Sequence, residues 1–323
     1  MTRMILDYIV NLVQSNLNVT FKIMNYNFDE IKQFQSLNLL AKQLVEGFIS
    51  GLHKSPYHGF SVEFAEHKLY NEGQSTRHID WKVYARTEKL FTKQYEEETN
   101  LRARVILDVS GSMYYPKPNH DKLKFAALAT AAITYLLNAQ RDAVGLTTFS
   151  DKIESETPVK STRANQNLIF KLLNEAVNAT KKAPTNVPAV LHEIAEKIHK
   201  RSLVIIFSDM FQDVDQIEEI FSALQHLKHR KHEVILFHIA DHATELEFDF
   251  QDRPYDFIDI ETNEHIKLNP GDIKDQYKKQ MSEYFYNLKI RCGQYKIDFV
   301  EVNTSDSIDK VLGAFLIKRK RMK

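Results

Sequence analysis

The chain has 323 residues, 43 Lys plus Arg against 43 Asp plus Glu, and 43% hydrophobic residues. That length holds one large α/β domain with an extension or two small domains, and zero net charge gives no overall pull toward nucleic acid or an anionic membrane. A single cysteine, Cys292, excludes an intrachain disulfide and fits a reducing cytoplasm. With no histidine base beside it, it reads as a buried, inert thiol.

No run reaches the roughly 18 uninterrupted apolar residues of a membrane helix. The closest, Phe125 to Leu137, is broken by Thr130 and Thr134. The N-terminus lacks a compact apolar stretch followed by a small-residue cleavage site, so no signal peptide is read and a cytoplasmic protein is expected.

In chain order, residues 1–27 form an uncertain leader, and Met24 is an alternative start. Residues 28–100 read as an extension. Phe28–Ile49 is helical, with an apolar stripe of Leu37, Leu40, Ala41, Leu44, Val45 and Phe48, and Val62–Tyr70 and Leu90–Tyr95 are strand-like. No low-complexity linker follows, so the extension is expected to pack on the main domain.

Residues 101–323 alternate buried strands with amphipathic helices. The strands fall at 104–109, 143–149, 203–208, 233–240 and 296–302, with a short antiparallel return at 152–156. Helices fall at about 121–140, 164–178, 188–200, 214–229, 272–292 and 306–318. This order predicts an α/β fold with a doubly wound, mostly parallel sheet. Near residues 243–268 the pattern breaks, and Glu245–Phe250 and Asp256–Ile260 alternate as the two strands of an inserted hairpin.

Asp108-Val-Ser110-Gly-Ser112 follows the apolar run Val105-Ile106-Leu107. Three oxygen side chains on the turn leaving a buried strand suit a hard divalent cation, Mg²⁺ or Mn²⁺. Ligands bind at the carboxyl ends of strands in such sheets. Two further oxygen side chains fall there: Thr185, in the loop opening the helix at 188, and Asp209, directly after the strand 203–208.

This set resembles the metal-ion-dependent adhesion site of von Willebrand factor A domains. The resemblance implies that Ser110, Ser112 and Thr185 touch the ion, while Asp108 and Asp209 act largely through water or hydrogen bonds. It also implies one open coordination position, filled by an acidic residue of a protein partner. Gly51-Leu-His-Lys-Ser-Pro, Val62-Glu-Phe-Ala-Glu66, Arg77-His-Ile-Asp-Trp81, Ala85-Arg86-Thr87 and Tyr95-Glu-Glu-Glu-Thr-Asn100 narrow it. From about residue 30 onward the chain resembles the soluble form of the bacterial family called domain of unknown function 58. That resemblance implies a non-enzymatic adaptor that works with a MoxR-type AAA+ ATPase. Thr185 follows Ala183-Pro184 where the family usually has glycines, which stiffens the loop.

Other clusters carry less. Trp81 reads as a core anchor, and Arg77 and Arg86 as ion-pair partners of Glu96, Glu97 or Glu98. His226, His229 and His232 recur every third residue but lack ligands for a tetrahedral zinc set, and read as a solvated basic face. The tail from Lys318 to Lys323 reads as a solvated helix end. No phosphate-binding Gly-x-x-x-x-Gly-Lys loop and no Gly-x-Ser-x-Gly elbow occur. The alternative function is a Mg²⁺- or Mn²⁺-dependent phosphoester hydrolase at the same site, for which Asp209 is the one candidate base.

Overall fold

The computed structural model describes residues 37–53, 67–69, 81–87, 90–93, 101–116, 121–179, 187–211, 217–259 and 264–322. In the extension these hold helix α1 (Leu37–His53), the antiparallel pair β1 (His67–Leu69) and β2 (Phe91–Lys93), and helix α2 (Trp81–Thr87) between them. The leader at 1–27, Arg77, Asp80 and Glu96 to Glu98 lie outside the described residues. Arg86 is exposed.

The main sheet is built from β3 (Arg102–Asp108), β4 (Ala143–Phe149), β5 (Ile153–Glu156), β6 (Leu203–Ser208), β7 (Glu233–Ala240) and β10 (Asp298–Asn303). Across the sheet the order is β10-β7-β6-β3-β4-β5, parallel throughout except for β5, which runs antiparallel to β4. The chain passes from β3 outward to β4 and β5, then returns to lay β6 on the other side of β3. The boundary between β3 and β6 is therefore the switch point of a doubly wound sheet.

Central strands buried on both faces need continuous apolar runs, and the side chains divide by parity. Ala103, Val105 and Leu107 join Leu203, Ile205 and Phe207 on one face. Against them pack α3 (Asp121–Ala139), α4 (Arg163–Asn178) and α8 (Ile308–Met322). Ile106, Val204, Ile206, Val234 and Leu236 face the opposite side, covered by α5 (Val187–Lys197), α6 (Ile217–His229) and α7 (Pro270–Gln294).

Helix α3 explains the most apolar run of the sequence. A helix that is hydrophobic all round must be covered all round. Its inner side meets the sheet, and its outer side meets α1, whose Leu40, Ala41 and Val45 are buried against it. Among the described residues no helix is long and apolar enough to cross a membrane.

Four expectations need correction. Glu245–Phe250 is not a strand: His242–Leu246 forms a π-helical turn, and Phe248 adopts a left-handed backbone (φ 49°). The hairpin is instead β8 (Tyr255–Ile258) with β9 (His265–Leu268). The alternation at 245–250 arises because Phe248 and Phe250 pack with Phe257 in an aromatic cluster, not because the backbone is extended. Second, the helix expected at 188–200 ends at Lys197, where Ser202 closes the turn by donating to the His199 carbonyl (2.6 Å). Third, His232 is no part of a solvated face. It is fully buried, and its Nδ1 accepts the Ser202 N–H (3.2 Å). Burial accordingly lowers its pKa. Finally, Lys318 is not free in solvent but bridges Glu233 (2.7 Å) and Asp298 (2.8 Å). Cys292 is buried as expected, its thiol pushed up to about 12 by that burial.

Because α1 completes the cover of α3, truncating its buried side chains opens a cavity in the core. Leu40→Ala is expected to lower the unfolding free energy by about 2–5 kcal/mol in urea titration, as for a core leucine, against under about 0.5 kcal/mol for the exposed Gln43→Ala.

Candidate metal centre

Asp108 closes β3 at the switch point and has no exposed surface. A buried carboxylate is costly unless its oxygens are paired, and both are. Oδ1 accepts the Ser110 N–H (2.9 Å), which draws the chain into a turn, and Oδ2 accepts the Ser208 hydroxyl from neighbouring β6 (2.6 Å). The turn continues as a short 3₁₀ helix over Ser112–Tyr114. This places the Ser110 and Ser112 hydroxyl oxygens 3.1 Å apart, with Ser110 buried and Ser112 half-buried.

Asp209 follows β6 on the other side of the switch and is also buried. Its Oδ1 accepts the Phe211 N–H (3.3 Å) and its Oδ2 the Lys122 ammonium (2.8 Å). Between them Met210 sits in the left-handed region (φ 51°), a strained position for a residue with a side chain. Ser208 accepts the Met210 N–H (2.9 Å) and Tyr284 donates to the Met210 carbonyl, so hydrogen bonds hold the strained residue on both sides.

Lys122 is fully buried in the first turn of α3. Its ammonium also contacts Glu245 Oε1 (2.5 Å), and the rings of Phe211 and Tyr115 lie 5.3 and 5.7 Å from it. Burial alone would depress this amine, but Asp209 and Glu245 outweigh it and hold the ammonium above its ordinary pKa. Glu245 is fixed in turn, its Oε2 accepting the Asp241 N–H (2.7 Å) and its carbonyl the Tyr277 hydroxyl (3.0 Å).

The structure thus brings Asp108, Ser110, Ser112 and Asp209 to one edge of the sheet, while Thr185 lies outside the described residues. Sequence reasoning missed Ser208, Lys122 and Glu245. A signal for Lys122 existed: with Phe125, Ala126 and Ala129 it forms the i, i+3, i+4, i+7 stripe of a buried helix face.

The donor set fits a hard cation. Ligand oxygens at right angles around Mg²⁺ or Mn²⁺ lie about 3 Å apart, the spacing of the two serine hydroxyls. Burial and then the charge of Asp209 push the Asp108 carboxyl up to about 7 against its hydrogen bonds to Ser110 and Ser208. A cation beside these groups would relieve that repulsion. Among the described residues no three His, Cys, Asp or Glu side chains cluster to hold a metal, so any ion here depends on hydroxyl oxygens.

Sheet order and helix layers together define a doubly wound α/β protein with an oxygen-lined switch point. The chain belongs to the family described as protein of unknown function DUF58, which matches residues 66–284. Uncharacterised proteins of Mycobacterium bovis and Mycobacterium tuberculosis are 22% identical to it over 207 residues, 64% of this chain. The chain spans 64% of the length of these curated relatives. The crystal structure of the conserved hypothetical protein BatB from Bacteroides thetaiotaomicron is 14% identical, with a TM-score of 0.41 over 68% of this chain and 99% of BatB.

Removing one member of a buried charge network leaves the others uncompensated. Lys122→Met is expected to cost about 3–5 kcal/mol of stability in urea unfolding. The double variant Lys122→Met/Glu245→Gln should recover part of that loss.

Proposed function

We propose that this protein is a non-enzymatic, divalent-metal-dependent interaction module. The observation that carries the reading is the pair of serine hydroxyls 3.1 Å apart above the buried Asp108 carboxylate, at the sheet's switch point. Ser110 and Ser112 would hold Mg²⁺ or Mn²⁺ directly, with Thr185 as the third hydroxyl ligand. Asp108 would orient the turn and supply negative charge, and Asp209 would act through hydrogen bonds. Neutral hydroxyl ligands leave such an ion electron-poor, and its chemistry is to accept one more anionic oxygen.

The chain's own residues do the rest. The Ser110 N–H and the Ser208 hydroxyl keep Asp108 from turning outward, and the half-buried Ser112 leaves one side of the turn open to a partner's acidic side chain. We extend the proposal to a MoxR-type AAA+ ATPase as the partner that supplies ATP-driven work, as the sequence resemblance implies, with this chain as the adaptor in an assembly or chaperone-like process in the cytoplasm.

The hydrolase reading is less well supported. It needs a free base near the ion, and Asp209, its one candidate, spends Oδ2 on the Lys122 ammonium. Its other oxygen, Oδ1, already accepts the Phe211 N–H, so neither oxygen is left facing a water on the ion without a competing donor.

Capture of a MoxR-type ATPase by the immobilised full chain tests the proposal. Capture should require Mg²⁺, and both Asp108→Ala and Ser110→Ala should abolish it while the circular dichroism spectrum stays native. Undiminished capture in chelator would sink the reading. Phosphoester hydrolysis lost in Asp108→Ala would favour the hydrolase instead.

A further inference from the structure

Lys122 is among the largest fully buried side chains of the described residues, and it stands between the candidate metal centre and the insertion after β7. A lysine kept wholly from water loses strong hydration and considerable side-chain freedom. Asp209 is the first of its two anionic partners, and the second, Glu245, arrives from an element with no part in the sheet. The insertion and Asp209 thus hold the ammonium between them.

The consequence lies in charge. Each oxygen of Asp209 already accepts a hydrogen bond, Oδ1 from the Phe211 N–H and Oδ2 from Lys122. A cation on Oδ2 would crowd an ammonium that stands 2.8 Å from the same oxygen, and like charges so close repel strongly away from water. Asp108 has no such competitor, since its donors are a neutral amide and a neutral hydroxyl.

We propose that Lys122 is the specificity-determining residue of the metal centre: by occupying Asp209 it withholds that carboxylate from the ion, so the ion's charge must be met by a carboxylate from outside. The proposal rests on the metal-dependent reading above. Lys122 makes intrinsic binding weak and binding with an anionic partner strong. Glu245 positions Lys122 and so ties that weakness to the 242–246 turn.

Mn²⁺ binding by the full-length protein, followed by electron paramagnetic resonance with and without acetate as the added carboxylate, tests this. Lys122→Met/Glu245→Gln removes one positive and one negative charge, so the local net charge equals that of the wild type. Any gain then reports the freed Asp209 carboxylate. It should bind Mn²⁺ about tenfold more tightly than the wild type, and the tightening that acetate gives the wild type should vanish. A merely structural lysine would weaken binding on removal, never strengthen it. Lys122→Arg, which keeps the cation, should retain weak, acetate-assisted binding.

Equal or weaker binding by the double variant, with a native circular dichroism spectrum, overturns the proposal. Should that variant fail to fold, Lys122→Gln/Glu245→Gln, equally balanced in charge, decides by the same reading: tighter Mn²⁺ binding than the wild type supports the proposal, and equal or weaker binding counts against it. Binding by neither wild type nor double variant overturns the proposal together with the metal reading. Wild-type binding that is lost in Asp108→Ala but unaltered by Lys122 and Glu245 substitutions overturns the proposal alone.

Discussion

A carboxylate without access to water ends the central strand of this protein, and the surrounding structure is arranged to tolerate it. Asp108 accepts a hydrogen bond from its own turn through Ser110 and one from β6 through Ser208. The second bond crosses the switch point, so it joins the two halves of the sheet where the chain reverses direction. The left-handed Met210 and the buried Asp209 follow from the same geometry, because β6 must turn sharply once Ser208 is committed to Asp108. Charge compensation then spreads to Lys122 and from there to Glu245.

Much of this was legible in the sequence. The runs Val105-Ile106-Leu107 and Leu203–Phe207 are apolar on both parities, as a strand between two helix layers needs. The Asp-x-Ser-x-Ser turn carries its chemistry in its residue types. What stayed hidden depends on partners far along the chain. Lys122, beside Asp121 and Lys124, looks like the charged start of a helix, and only Asp209, 87 residues on, and Glu245, 123 residues on, turn it inward. The alternation at 245–250 imitates a strand because aromatic packing and a π-helical turn produce the same spacing. His232 misleads similarly: three histidines at even intervals suggest a face, but the turn between α6 and β7 points one of them into the core.

The insertion is more than an ornament on an otherwise regular fold. Its π-helical turn sets Glu245 beside Lys122, and Tyr277 from α7 holds the same turn by its carbonyl. Lys278, also from α7, pairs with Glu247 at the surface. A face of α7 and the edge of the candidate centre are therefore mechanically connected through one short segment. A contact made on that helix has a direct physical route to Lys122.

Helix α3 imposes an order on how the protein comes into being. Its outer side is completed by α1, a segment made about seventy residues earlier. While the chain is being synthesised, α1 emerges first with an apolar stripe and no surface to receive it. The helix it covers cannot be fully shielded from water until the two meet across the strands and helix that lie between them in the chain. Contacts so distant in sequence form late, and the exposed stripe is in the meantime a natural target for chaperones and proteases. The same covering that makes the finished core dry leaves an apolar face uncovered for as long as the chain is unfinished.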